Sequence, residues 1–280
     1  MLITRDAERI RMESAANPLT VSLIVPVLNQ EPRLEDVLRE IRSLPAEIDP
    51  EVIVVYDITR PELLEAVQRE QRELEKNYGV RCLTRTNERG FGSAIRAGFE
   101  ASRADVIIPI MGDCSDDIAA IPRMLAKIEG GADLVAGSRY MPGGAIIGDT
   151  PKQQISRYYS KVMGLASSVG CSDVSNSFRA YRRGIWETIR NESNSFDISV
   201  EMTVKAAEAG YRIDQVPAVW TNRAAGQSSF GMMKELRNYN RWLFYAVRHN
   251  PRRTTLFWLP VVIVSTVLVG VRLFAGGRKE

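Results

Sequence analysis

Short runs of Val and Ile, apolar at consecutive positions, recur through the first half of the chain: Val21 to Val27, Val52 to Tyr56, Val80 to Leu83, Val106 to Met111 and Leu134 to Ala136. A strand with one wet face alternates apolar and polar residues, whereas one that is apolar throughout is buried on both faces, as in parallel sheets. Between the runs lie EPRLEDVLREIRSL and PELLEAVQREQRELEKNYG, whose Leu, Val and Ile recur at three- and four-residue spacing, the period of an amphipathic helix. Doubly buried strands alternating with such helices predict an α/β fold, a mostly parallel sheet with helices on both faces. In these sheets ligands bind beyond the carboxyl ends of the strands.

The residues at those ends, in order, are PVLNQE, Asp57, RTNERGFGSA, GDCSDD and GSRYMPGG. All are polar or Gly-rich. The rest of the composition narrows the chemistry open to them. A single histidine, His249, removes Ser-His-Asp triads and His-based metal sites. Cys82, Cys114 and Cys171 are odd in number and far apart, which suggests neither a disulfide framework nor a zinc site and fits a reduced compartment. A net charge of +3 without long Lys/Arg runs argues against nucleic acid as a partner and suits a phosphate-bearing substrate or an anionic membrane. The chemistry is left to carboxylates, a metal, arginines and backbone dipoles.

Asp113 leaves a buried strand and is followed by Ser115, Asp116 and Asp117. Mg²⁺ or Mn²⁺ is commonly held by one or two carboxylates, with waters and substrate phosphate oxygens completing its shell. Asp113 is therefore the candidate ligand. Asp116 stands between ligand and helix cap, and Asp117 reads as a cap, because both open the helical stretch DDIAAIPRMLAKIEG.

Beyond residue 150 the alternation fades. SNSFRAYRRGIWETI combines a short strand with a helix, FDISVEMTVKAAEAGY reads as an amphipathic helix and RIDQVPAVWTNR as a strand. In MMKELRNYNRWLFYAVRH, Met232, Met233, Leu236, Tyr239, Trp242, Leu243, Ala246 and Val247 form one stripe, with Lys234, Arg237, Arg241 and Arg248 elsewhere. That pattern suits packing on the domain or lying on a membrane surface. The almost unbroken apolar run from Leu256 to Val271, then Arg272, favours the membrane, as a transmembrane helix with a buried core helix as the alternative. The expected organisation is a polar leader over 1–19 without a signal peptide, a catalytic domain over 20–230, an interface helix over 231–250 and a transmembrane helix over 255–276.

Together VSLIVPVLNQE, EVIVVYD, ERGFGSAIRAGFEAS, DCSDDIAAIP, DLVAGSRYMPGG, DVSNSFRAYRR, FDISVEMTVKAAEAGYRIDQVP and WTNRAAGQSSF resemble the inverting glycosyltransferases of the dolichyl-phosphate-mannose synthase type, which have a GT-A (Rossmann-like) fold. The resemblance runs from Val21 to Phe230. It implies transfer of a sugar from a GDP- or UDP-sugar to a polyprenyl phosphate or other lipid-borne acceptor, with Mg²⁺ or Mn²⁺; the need for a cytosolic sugar nucleotide, the reduced cysteines and the absence of a signal peptide put the catalytic domain on the cytoplasmic side of the cell membrane. Pro26, Asn29 and Glu31 match the family's turn beneath the nucleotide base, and Asp57 the acid that holds base or ribose. Arg89, Gly90, Gly92, Ala94 and Gly98 match its glycine loop near the nucleotide sugar. Asp113 matches the last acid of its DAD metal motif, with Ser115 at the polar position two further on and Asp116 able to add a second carboxylate. Arg139 and Arg157 match arginines facing the acceptor phosphate, and Asp173 and Arg179 an element near sugar and acceptor.

Two positions depart from that pattern: Met111 replaces the first acid of DAD, and Tyr56 the first acid of the strand-end pair. They leave room for a catalytically weak relative that binds sugar nucleotides. A hydroxyl acceptor in cell-envelope polysaccharide synthesis is the other alternative, and it requires a carboxylate such as Asp173 to take the proton. A nucleotidyltransferase needs no membrane anchor and usually has a Gly-rich opening loop. A dinucleotide oxidoreductase is weaker still, because GFGSAI lacks the third glycine of GxGxxG and follows the third strand.

Overall fold

The computed structural model describes residues 19–86, 89–148, 151–167, 169–222 and 232–249. The leader up to residue 18 and the apolar run after 250 lie outside them. Among the described residues, no helix is long and apolar enough to cross a membrane.

The apolar runs become β1 (Val21–Leu28), β2 (Glu51–Asp57), β3 (Arg81–Arg85), β4 (Val106–Pro109) and β5 (Leu134–Ser138). With β7 (Arg179–Arg182) and β8 (Ile213–Pro217) they form one sheet of order β3-β2-β1-β4-β7-β5-β8. Every neighbouring pair is parallel except those of β7, which runs antiparallel between β4 and β5. A second, two-stranded sheet pairs β6 (Ala145–Ile147) with β9 (Val219–Thr221). The mostly parallel α/β expectation holds, and the inserted strand comes from the stretch read as a short strand followed by a helix.

The helices cover both faces. On one, α1 (Leu34–Arg42), α2 (Leu64–Tyr78) and α4 (Ile121–Glu129) pack on Leu23, Val25, Val54 and Ile108. Leu34, Val37, Leu38 and Ile41 are the buried stripe of α1, each fully buried side chain adding about 1.5–3 kcal/mol. On the other, α3 (Phe91–Ala101), α6 (Arg183–Thr188) and α7 (Ile198–Glu208) cover Ile24, Ile53, Val55 and Ile107. Rather than showing one wet face, α7 is buried at almost every position because it lies between that core and a third cluster.

That third cluster joins α7 to α5 (Pro151–Ser167) and α8 (Met232–His249). Tyr239, Trp242, Leu243 and Ala246 are buried in it, and the Tyr159 hydroxyl of α5 donates to the Tyr239 carbonyl at 2.7 Å. These members of the aromatic stripe thus face the protein interior, the packing on the domain that the pattern also allowed. An apolar stripe specifies that a helix has an apolar partner without specifying which one.

Candidate active site

Chain order reverses at β1 and β4: β2 and β3 extend the sheet one way from β1, and β4 begins the other. Ligands of open α/β sheets bind at such a switch point. The β1–β4 ladder ends at Ile24↔Pro109, and Pro26, two residues further on, has no N–H with which to continue it. The β1–β4 ladder therefore stops short of the rim.

Asn29 stitches the first two strand ends together. It adopts φ 60°, its N–H donates to the Asp57 carbonyl at 2.9 Å, and its side-chain oxygen accepts the N–H groups of Thr59 and Arg60 at 2.9 and 3.2 Å. Asn tolerates this left-handed conformation better than most residues. Glu31 is half-buried, its Cγ lying 3.3 Å from where a Cβ on Gly112 would be.

Asp57 already has partners. Its oxygens accept Arg85 Nε and Nη2 at 2.7 and 3.0 Å, and the Gly90 N–H at 3.1 Å. Arg85 was not singled out from sequence; the signal was its register, directly opposite Asp57 on β3. The glycine loop is positioned by this pair from one side and by a second loop from the other. A Cβ on Gly90 (φ 126°) would collide with the Asn194 carbonyl, and one on Gly92 would lie 2.5 Å from the Ser193 carbonyl oxygen. What crowds these glycines is therefore the chain's own 193–195 segment. Arg89 is exposed.

Beyond β4, Asp113 and Asp116 are both 7% exposed. Asp113 Oδ1 accepts the Ser115 N–H at 3.1 Å, and Asp116 Oδ2 accepts the Met111 N–H at 2.8 Å. Asp116 thus closes its own loop instead of capping a helix, and its Oδ1 is buried without a hydrogen-bond partner. Burial above all, reinforced by the nearby Asp113 charge and opposed by the Met111 hydrogen bond, pushes its carboxyl up to about 7. Cys114, between them in sequence, adopts φ 58°, rare for a non-Gly residue. Ser115 is buried, its carbonyl accepting the Thr221 N–H at 3.0 Å. Asp117 occupies the N-cap position, yet its carboxylate turns to the Val219 N–H at 3.1 Å. Of the two departures, Met111 is half-buried, and Tyr56 is fully buried with its hydroxyl donating to Glu70 at 2.9 Å.

Among the described residues, no three of His, Cys, Asp and Glu gather into a metal cluster. Two carboxylates with one orphaned buried oxygen still fit a hard divalent cation that shares its shell with substrate phosphate and water.

Past β5 the charges are closed on one another. Arg139 Nε and Nη2 reach Asp173 at 2.7 and 3.0 Å, its N–H adds a bond at 3.2 Å, and Asp173 is fully buried. Burial raises the Asp173 carboxyl, but the Arg139 charge and hydrogen bonds outweigh it and hold it below the usual aspartate range. Such an ion-paired, buried carboxylate is a poor general base, which weighs against Asp173 taking a proton from a hydroxyl acceptor. Arg179 is also fully buried, donating to the Asn176 and Asp173 carbonyls at 2.7 and 2.5 Å, so it braces the loop and does not face a substrate. Arg157 is exposed, and the structure brings it to Arg139 through a residue the sequence did not flag. The two guanidinium carbons lie 5.1 and 5.0 Å from the ring centre of Tyr140, whose hydroxyl donates to Ser156 at 2.8 Å.

The description "Glycosyl transferase family 2" matches residues 22–190, well over half of the 280-residue chain. The chain belongs to glycosyl transferase family 2. This glycosyltransferase is 30% identical over 234 residues to an undecaprenyl-phosphate mannosyltransferase of Micrococcus luteus, covering 80% of this chain and 94% of that one. It is 25% identical over 254 residues to a dolichol-phosphate mannosyltransferase of Pyrococcus furiosus, covering 90% and 70%. In fold it matches glucosyl-3-phosphoglycerate synthase of Mycobacterium tuberculosis, solved with Mn²⁺, UDP and phosphoglyceric acid, at a TM-score of 0.58 and 17% identity, covering 88% of this chain and 82% of that one. The α/β architecture of this family 2 enzyme is GT-A-like.

Proposed function

We propose that this glycosyltransferase moves a sugar, with inversion, from a GDP- or UDP-sugar to a polyprenyl phosphate at a membrane surface. The observation that carries the proposal is the orphaned, buried Asp116 oxygen beside Asp113 at the mouth of β4. A Mg²⁺ or Mn²⁺ ion held by Asp113 and Asp116 near Ser115 would neutralise the diphosphate leaving group. Pro26, Asn29, Glu31 and Asp57 lie where a base and ribose would rest, and Arg89 to Gly92 beside the sugar diphosphate. An acceptor phosphate oxygen attacks the anomeric carbon from the face opposite the diphosphate, and the bond to the diphosphate oxygen breaks. A phosphate is already an anion, so no protein base is needed. This favours it over a hydroxyl acceptor, since Asp173 is ion-paired and buried. The names of the Micrococcus and Pyrococcus relatives support the same acceptor class.

Arg157, exposed on the Tyr140 ring, is the side chain placed to meet the acceptor phosphate, with Arg139 as its neighbour. Ile155, Tyr158 and Leu165 of α5 and Phe244 of α8 are exposed, as are Lys161, Arg237 and Arg248 of the same two helices. Apolar and cationic side chains mixed in this way suit an anionic lipid surface. In this reading residues 255–276 anchor the chain by one helix with the catalytic domain on the cytoplasmic side. Truncation after His249 is expected to give a folded chain that binds nucleotide but leaves membranes at high salt. An aggregated product would place the apolar run in the core.

The deciding experiment supplies GDP- and UDP-sugars with polyprenyl phosphate and follows nucleoside diphosphate release with Mg²⁺, Mn²⁺ or EDTA. Release that depends on both the lipid and the cation is expected. Donor binding without turnover would point to the weakened relative that Met111 and Tyr56 allow, and cation-independent turnover would remove the metal from the site.

A further inference from the structure

The 190–197 segment matches no strand-end motif, yet three buried carboxylates converge on it. Glu201, fully buried on α7, accepts the N–H groups of Glu192 and Ser193, both at 2.8 Å. Asp197, 1% exposed, accepts the Ser193 hydroxyl at 2.7 Å, the Trp242 indole N–H at 2.9 Å and Arg241 Nη2 at 3.3 Å. Glu235 accepts the Ser195 hydroxyl with one oxygen, while its Oε2 is buried without a hydrogen-bond partner. A carboxylate leaves water favourably only where donors replace it. Here donors and acceptors come from both the loop and α8, so the loop is fixed to that helix.

The other side of the loop faces the glycine loop. The Gly92 N–H donates to the Asn194 carbonyl at 3.1 Å, Arg96 donates to the Ser193 carbonyl at 2.5 Å and to the Asn194 side chain, and Phe91 stacks on Phe196 at 4.5 Å. The Gly90 N–H in turn donates to Asp57. A continuous set of contacts therefore runs from α8 through Asp197, Ser193 and Asn194 to the glycines and Asp57.

We propose that Asp197 is a positioning residue for the nucleotide-sugar donor: together with the Ser193 hydroxyl, to which Trp242 and Arg241 also donate at 3.1 Å each, it makes α8 a brace of the glycine loop. The donor side of the site is then fully assembled only with α8 in place. The proposal rests on the reading of residues 89–92 as donor-binding and adds the helix that holds them.

The test uses the full chain in detergent and compares wild type with Trp242→Phe, which keeps the ring and deletes the N–H donor, and with Arg241→Gln, at a half-exposed position that tolerates change. Calorimetry measures UDP and GDP affinity with Mg²⁺, kinetics measure acceptor KM, and hydrogen exchange follows residues 90–94. Trp242→Phe is expected to weaken nucleoside diphosphate binding about tenfold, the scale of one hydrogen bond to a charged group, and to speed exchange at Gly92, with acceptor KM unchanged. Arg241→Gln shifts the same quantities by a smaller factor, and decides the matter should Trp242→Phe not fold. A folded variant with wild-type nucleotide affinity overturns the proposal, as does a parallel loss on donor and acceptor sides, which marks general loosening. If wild type itself binds neither nucleotide, the donor reading falls first and this brace with it.

Discussion

Two buried aspartates on the same rim have opposite fates. Asp173, beyond β5, is enclosed by the Arg139 fork, Ser175 and the Asn176 N–H, and its carboxyl is held below the usual range. Asp116, beyond β4, has one backbone donor, one oxygen without a partner, and a carboxyl pushed up to about 7. Burial is nearly the same for both, so the difference lies in the donors around them. The pair past β5 is complete and behaves as a structural joint. At β4 the Arg139 charge reaches Asp116, yet one Asp116 oxygen stays buried without a hydrogen-bond partner, which suits a site that receives a cation.

The largest expected effect is on the complete joint. Asp173→Ala leaves Arg139 buried and unpaired, and should cost roughly 3–5 kcal/mol in a urea unfolding experiment. A loss below about 1 kcal/mol would show that water reaches the guanidinium and that the joint is not closed. The same pair predicts acid sensitivity. Because the folded-state pKa is depressed, the stabilisation from Asp173 is fully present above the unfolded value of about 4 and is lost as pH falls from there through the folded value. Asp173→Asn should therefore flatten the wild-type fall in Tm below pH 4.

At the incomplete pair the expected signature is inverted, with function lost and stability kept. Asp113→Asn should lower turnover by about 100-fold or more with little change in Tm, the scale of removing a key electrostatic group. Asp116→Asn should be at least as stable as wild type without divalent cations, because an amide has no charge to desolvate, and should lack the Tm increase expected of wild type with Mg²⁺ or Mn²⁺. Near wild-type turnover by Asp113→Asn at saturating cation would sink the assignment.

The smallest effect separates the two arginines. Arg157→Lys keeps the charge but loses the planar fork and its stacking on Tyr140, so acceptor KM should rise about three- to tenfold with donor affinity intact. Arg139→Lys should mainly lower stability, since its fork is engaged by Asp173. Donor affinity falling with Arg157→Lys would place that residue on the wrong side of the site.

What could be read from the sequence was local. Consecutive Val and Ile announce doubly buried strands, parallel strands put their carboxyl ends on one rim, and Asn29, Asp57, Gly90, Asp113 and Arg139 are near those ends by position alone. The three-dimensional arrangement decided which groups neutralise one another, because partners such as Arg85 for Asp57, Asp173 for Arg139 and Asn194 for Gly92 are separated along the chain and meet only when the sheet closes. The same holds for α8: its apolar stripe required burial, and packing against α5 and α7 determined that the burial is internal. A periodic pattern encodes that a face leaves water, but the partner depends on contacts that no local pattern contains.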